Sequence, residues 1–101
     1  MKYSIKISGK RKKIPVVIFE DKKYDLIGEF LLAERSTLKY FLDALENADK
    51  DSETEISGNA FTLTADKEKT TVTCDITDQS VAADTSELKA LINDYINSLK
   101  S

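Results

Sequence analysis

The chain has 101 residues, 41% of them hydrophobic and 33% charged, with a formal net charge of −3. That length holds one domain around one core, residues 1–101, and the apolar share excludes a disordered chain. No apolar run nears the roughly 20 residues of a membrane span, the alternating start offers no secretory signal, and the single cysteine cannot form an internal disulfide, so a reducing, cytoplasmic setting is expected.

Residues Lys2–Ser8 alternate, with Tyr3, Ile5 and Ile7 on one side and Ser4, Lys6 and Ser8 on the other, as a half-buried strand does. Gly9-Lys10-Arg11-Lys12-Lys13 reads as the hairpin turn into a second strand, Ile14–Glu20. That strand is apolar on both sides, with Ile14, Val16 and Ile18 against Val17 and Phe19, and such a strand is usually covered on both or sits beside an added helix. Pro15 cannot donate to a ladder, so it belongs at a strand start or an edge.

Tyr24–Glu34 carries Leu26, Phe30 and Ala33, with Ile27 and Leu31, at helical spacing and reads as a short helix, though Gly28 weakens it and leaves a strand-like segment as the alternative. Ser36 or Thr37 is placed to cap a helix running to about Ala48, with the core stripe Leu38, Phe41, Leu42 and Leu45. After the polar loop Asp49–Ser52 come three alternating strands, Glu53–Ser57, Ala60–Ala65 and Thr70–Thr77. Ile56, Phe61, Leu63, Val72, Cys74 and Ile76 would form the dry face, and glutamates, threonines and Asp75 the wet one. Gly58-Asn59 is a two-residue hairpin signal because both tolerate positive φ, and Asp66–Lys69 closes the next hairpin. Val81 and Ala82 suit a short edge strand. Asp84 with Glu87 three positions on reads as a capping box for a last helix striped by Leu88, Leu91, Ile92, Tyr95, Ile96 and Leu99. The sum is an α+β fold: a mostly antiparallel sheet of about five strands, an N-terminal hairpin plus a three-strand meander, with two to three helices on a face.

The chemistry-bearing residues are mostly conspicuous by absence. There is no histidine, which removes Ser–His and Cys–His nucleophiles and histidine zinc sites. Three isolated glycines make no phosphate loop, and Cys74, flanked by Val72 and Ile76, reads as an inert buried thiol. Carboxylate pairs exist without an aromatic cleft, so no catalytic residue, cofactor or metal ligand is assigned.

Charge is the more informative signal. Residues 1–23 hold eight basic and two acidic side chains, a balance of +6, while the other 78 stand at −9. The basic turn at residues 10–13 suits a solvated turn or, as the alternative function, a small nucleic-acid-binding or regulatory module, though no aromatic residues interleave with its cations. The acidic set Asp43, Glu46, Asp49, Asp51, Glu53, Glu55, Asp75 and Asp78 is the candidate partner-binding surface, suited to a basic protein.

Three stretches carry a family likeness: Asp25-Leu26-Ile27-Gly28-Glu29-Phe30-Leu31-Leu32 ahead of a leucine-striped helix, Glu55-Ile56-Ser57-Gly58-Asn59-Ala60-Phe61-Thr62-Leu63, and the terminal Asp84-Thr85-Ser86-Glu87-Leu88-Lys89-Ala90-Leu91-Ile92. From about residue 25 onward the chain resembles small bacterial immunity proteins of contact-dependent growth inhibition and related polymorphic toxin systems. Where that family's last helix usually carries a tryptophan, this chain has Tyr95. The resemblance implies a cytoplasmic, non-enzymatic protein that binds one cognate toxin domain, often a nuclease, and blocks its basic active site. It implies no membrane and no direct nucleic-acid contact.

Overall fold

The computed structural model describes residues 1–8, 14–48 and 53–100. The basic turn at 9–13 and the loop at 49–52, with Asp49 and Asp51, lie outside the described residues. The elements run β1 (Tyr3–Ser8), β2 (Ile14–Phe19), a 3-10 turn (Lys22–Tyr24), α1 (Asp25–Ala33), α2 (Leu38–Glu46), β3 (Thr54–Ser57), β4 (Phe61–Ala65), β5 (Lys69–Cys74), β6 (Ser80–Asp84) and α3 (Thr85–Leu99). This is an α+β fold, as expected, with the strands divided between two antiparallel sheets: the hairpin β1-β2 and the meander β3-β4-β5-β6. No helix among the described residues is long and apolar enough to cross a membrane.

Both α1 and α3 touch the hairpin as well as the meander, so helices form a layer between the two sheets. Alternation explains which sheet face meets them. Ile56, Phe61, Leu63, Ala65, Val72, Cys74 and Ala83 all point inward and are buried. The helices answer with Ile27, Phe30 and Leu31, with the expected stripe Leu38, Phe41, Leu42 and Leu45, and with Leu88, Leu91, Ile92 and Tyr95. Phe30 lies at the centre, edge-on to Phe41 at 5.0 Å and to Phe61 at 5.8 Å between ring centroids. Each large aliphatic or aromatic side chain removed from water in this core contributes about 1.5–3 kcal/mol against chain entropy.

Residues 25–33 are helical, as the Leu26, Phe30 and Ala33 spacing suggests, and Gly28 fits because the site beside it is close to β2: a Cβ there would lie 3.5 Å from Phe19 Cε2 and 3.6 Å from the Val17 carbonyl oxygen. Several other local expectations change. Thr37 is the N-cap of α2 by backbone position, yet its hydroxyl donates back to the Glu34 carbonyl at 3.2 Å instead of capping. Asp84 likewise precedes α3 without a side-chain cap bond, and Glu87 meets the Met1 amino group at 3.2 Å, so the capping box does not form. β6 is a full edge strand from Ser80 to Asp84 rather than the two residues foreseen.

The larger correction concerns Ile76. β5 stops at Cys74 and not at Thr77, and Ile76 is 82% exposed rather than part of the dry face. On β2, Pro15 and Phe19 are buried while Val16 and Ile18 are exposed, so of the two expectations for this strand it is the one with helices along one side that holds.

Candidate functional site

Two loops sit side by side at one end of the meander, the β3–β4 turn and the β5–β6 loop, linked by Asp75 N–H donating to the Ala60 carbonyl at 2.9 Å. The first is built around a charge that sequence spacing does not reveal. Glu34, at the end of α1, is fully buried, and its carboxylate accepts from three successive amides: Asn59 N–H to Oε1 at 3.0 Å, and Ala60 N–H and Phe61 N–H to Oε2 at 2.9 and 3.1 Å. The charge that burial would make costly is thus hydrogen-bonded on both oxygens.

This arrangement also explains Gly58. The residue does not use the left-handed region; a Cβ there would fall 2.5 Å from Glu34 Oε2 and 2.6 Å from Phe41 Cζ. Gly58 N–H donates to the Phe61 carbonyl at 2.8 Å, so the two-residue loop is Asn59-Ala60, one position later than expected. The glycine makes room for a carboxylate; it does not set a turn angle.

The β5–β6 loop is equally tied down. Asp78 N–H donates to the Cys74 carbonyl and Cys74 N–H to the Gln79 carbonyl, both at 2.8 Å. Asp78 holds φ at 65°, a conformation that aspartate tolerates better than most side chains. Thr62 Oγ1, on the neighbouring strand, donates to the Asp75 carboxylate at 2.9 and 3.1 Å. The Cys74 thiol is held below its ordinary pKa, first by the Thr77 hydroxyl and then by the amides of Thr77 and Ile76. It is 9% exposed, and these hydrogen bonds give it a polar neighbour that simple burial between Val72 and Ile76 did not foresee. Ile76 stands at the crest of this loop between Asp75 and Asp78.

The structure distributes the acidic set. Glu55 and Asp75 belong to the outer, helix-free face of the meander, with β4 between them, and Ser57, Thr62, Thr64, Thr71 and Thr73 make up much of the same face. Asp78 lies beyond that face, in the loop with Ile76. Glu53 is exposed just before β3. Asp43 and Glu46 are exposed on α2, in the helical layer, and Asp43 faces Lys39 at 3.8 Å. Asp75 and Asp78 thus share the β5–β6 loop, as Asp43 and Glu46 share α2. Sequence reading missed Glu34, whose partners lie 25 to 27 positions away and leave no local pattern. It also misread Ile76, although turn-forming Asp75, Thr77 and Asp78 around it were a usable signal.

Among the described residues, no group of three or more cysteine, aspartate and glutamate side chains is placed to hold a metal ion. At the opposite end of the meander, Asp66 Oδ1 accepts from the amides of Lys69 and Glu68 at 2.7 and 2.8 Å, which holds its carboxyl below the usual range and closes the β4–β5 turn. Comparison of the chain with protein-family models, with curated proteins and with solved structures returns no match.

Proposed function

We propose that the protein is an immunity protein: it binds a cognate bacterial toxin domain, of the nuclease class, and neutralises it by covering the basic site that grips phosphate. The observation that carries this reading is the β5–β6 loop. Two carboxylates flank an isoleucine that is 82% exposed, on backbone bonded at both ends and cross-braced to Thr62 and Ala60. A rigid acidic knob of this kind loses little conformational freedom on docking, and its charge steers it toward a cationic cleft. Glu55 on the adjoining face extends the same potential.

The test is co-expression with the toxin domain encoded immediately upstream, together with the triple variant Glu55→Gln, Asp75→Asn and Asp78→Asn. The amides keep the shapes, the Thr62 contact and the tolerance of positive φ at position 78. The expected outcome is protection lost or weakened and association slowed about tenfold at low salt, with the thermal midpoint nearly unmoved. Adding Ile76→Asp should weaken the complex further. Full protection by these variants, or no stable complex with the native chain, ends the proposal.

A further inference from the structure

The two edges of the β1-β2 hairpin are not alike. Glu20 N–H donates to the Lys2 carbonyl at 3.1 Å and fixes the phase of the ladder. Lys2, Ser4 and Lys6 then bond across to Glu20, Ile18 and Val16, and the N–H and C=O groups of Tyr3, Ile5 and Ile7 face away from β2. The same phase turns the odd residues of β2 toward the helices, which two contacts bear out. The Pro15 carbonyl accepts from the buried Tyr95 hydroxyl at 2.8 Å, and the Val17 carbonyl oxygen lies beside Gly28.

The edge of β2 is closed by a proline without an N–H, by Tyr95 and by α1. The edge of β1 has no strand beside it among the described residues. It is six residues long, without proline, and its charged protection is Lys6 within the strand and Lys2 just before it. Neither lysine is in an ion pair among the described residues. Ile5 is half-buried and Ile7 is 46% exposed on the side that faces the helical layer.

We propose that the open edge of β1 accepts an added strand from a protein partner whose side chains alternate apolar and acidic. Main-chain bonds to Ile5 and Ile7 would supply the pairing, apolar side chains would cover Ile5 and Ile7, and acidic ones would lie along Lys2 and Lys6. Charge selects this occupant. A second copy would bring the same lysines to the same edge. This surface is separate from the acidic loop and does not rest on the proposal above.

The test is a two-dimensional NMR titration of the whole chain with a short acetylated, amidated peptide alternating Glu and Val, and with a Lys–Val counterpart. At about 5 mM peptide, above an expected Kd on the order of 1 mM, the Ile5 and Ile7 amides should shift and exchange about fivefold more slowly, while Ser4 and Lys6, already bonded to β2, change little. Raising salt to about 0.5 M should weaken binding, and Lys6→Glu should lower affinity for the acidic peptide about five- to tenfold and raise it for the basic one. No change at Ile5 and Ile7, or equal response to both peptides, overturns the proposal. Protection of these amides in the free protein, with sedimentation as a dimer, overturns it in favour of a second copy.

Discussion

Gly28 and Gly58 show how one residue type answers two different demands. At Gly58 the missing Cβ is occupied space, with Glu34 and Phe41 both under 3 Å from where it would be. Gly58→Ala should lower stability by about 2–3 kcal/mol, because either the carboxylate leaves its amides or the aromatic ring shifts. At Gly28 a Cβ would make ordinary contacts inside a helix, and Gly28→Ala should raise stability by about 0.5–1 kcal/mol. Urea midpoints of the two variants should move in opposite directions; movement in the same direction would show that one of these environments is wrong. The sequence pair Gly58-Asn59 did mark a hairpin, but for a reason that sequence alone does not contain. The determinant is Glu34, in another element, and nothing between Glu34 and Asn59 points from one to the other.

Elements were readable where a single face repeats. The α2 stripe and the inward rows of β3, β4 and most of β5 follow from spacing, since burial obeys the 3.6- and 2-residue periods. Element ends were harder, because a side chain that could cap was drawn elsewhere: Thr37 to a carbonyl and Glu87 to an amino group. The same diversion joins β1 to α3, where the Tyr3 hydroxyl donates to the Asp94 carboxylate. Desolvation first, and then that carboxylate, push the Tyr3 pKa up to about 12. A folded pKa above the unfolded value of 10.0 means that this contribution is intact below pH 10 and is lost as pH rises toward 12. Stability of the native chain should therefore fall across that window more steeply than that of Tyr3→Phe, which keeps the edge contact with Phe19 at 6.2 Å. Chemical denaturation at about pH 9 and about pH 11.5 measures the difference. Parallel loss in both proteins would remove Tyr3 as its source.

The whole molecule is elongated, 45 × 26 × 25 Å, with helices held between a basic two-stranded hairpin and a threonine-rich four-stranded sheet. Charge asymmetry along the sequence was a hint about partners, and Lys2 and Lys6 of the hairpin and Glu55 and Asp75 of the meander lie in different layers. What the order of residues could not convey is the division of strands into two sheets, because pairing partners are chosen by packing on the helices and not by alternation alone. The Glu34 clamp also bears on how this chain reaches its native state. A turn held by the Glu34 carboxylate at the end of α1 cannot be completed while that helix is absent, so the meander excised from its N-terminal third should remain unstructured. In the intact chain, deuterium uptake at Asn59, Ala60 and Phe61 should proceed in step with that of α1, as one cooperative unit spanning a long loop in sequence. Independent, faster uptake at the turn would show that the anion is a passenger rather than the keystone of assembly.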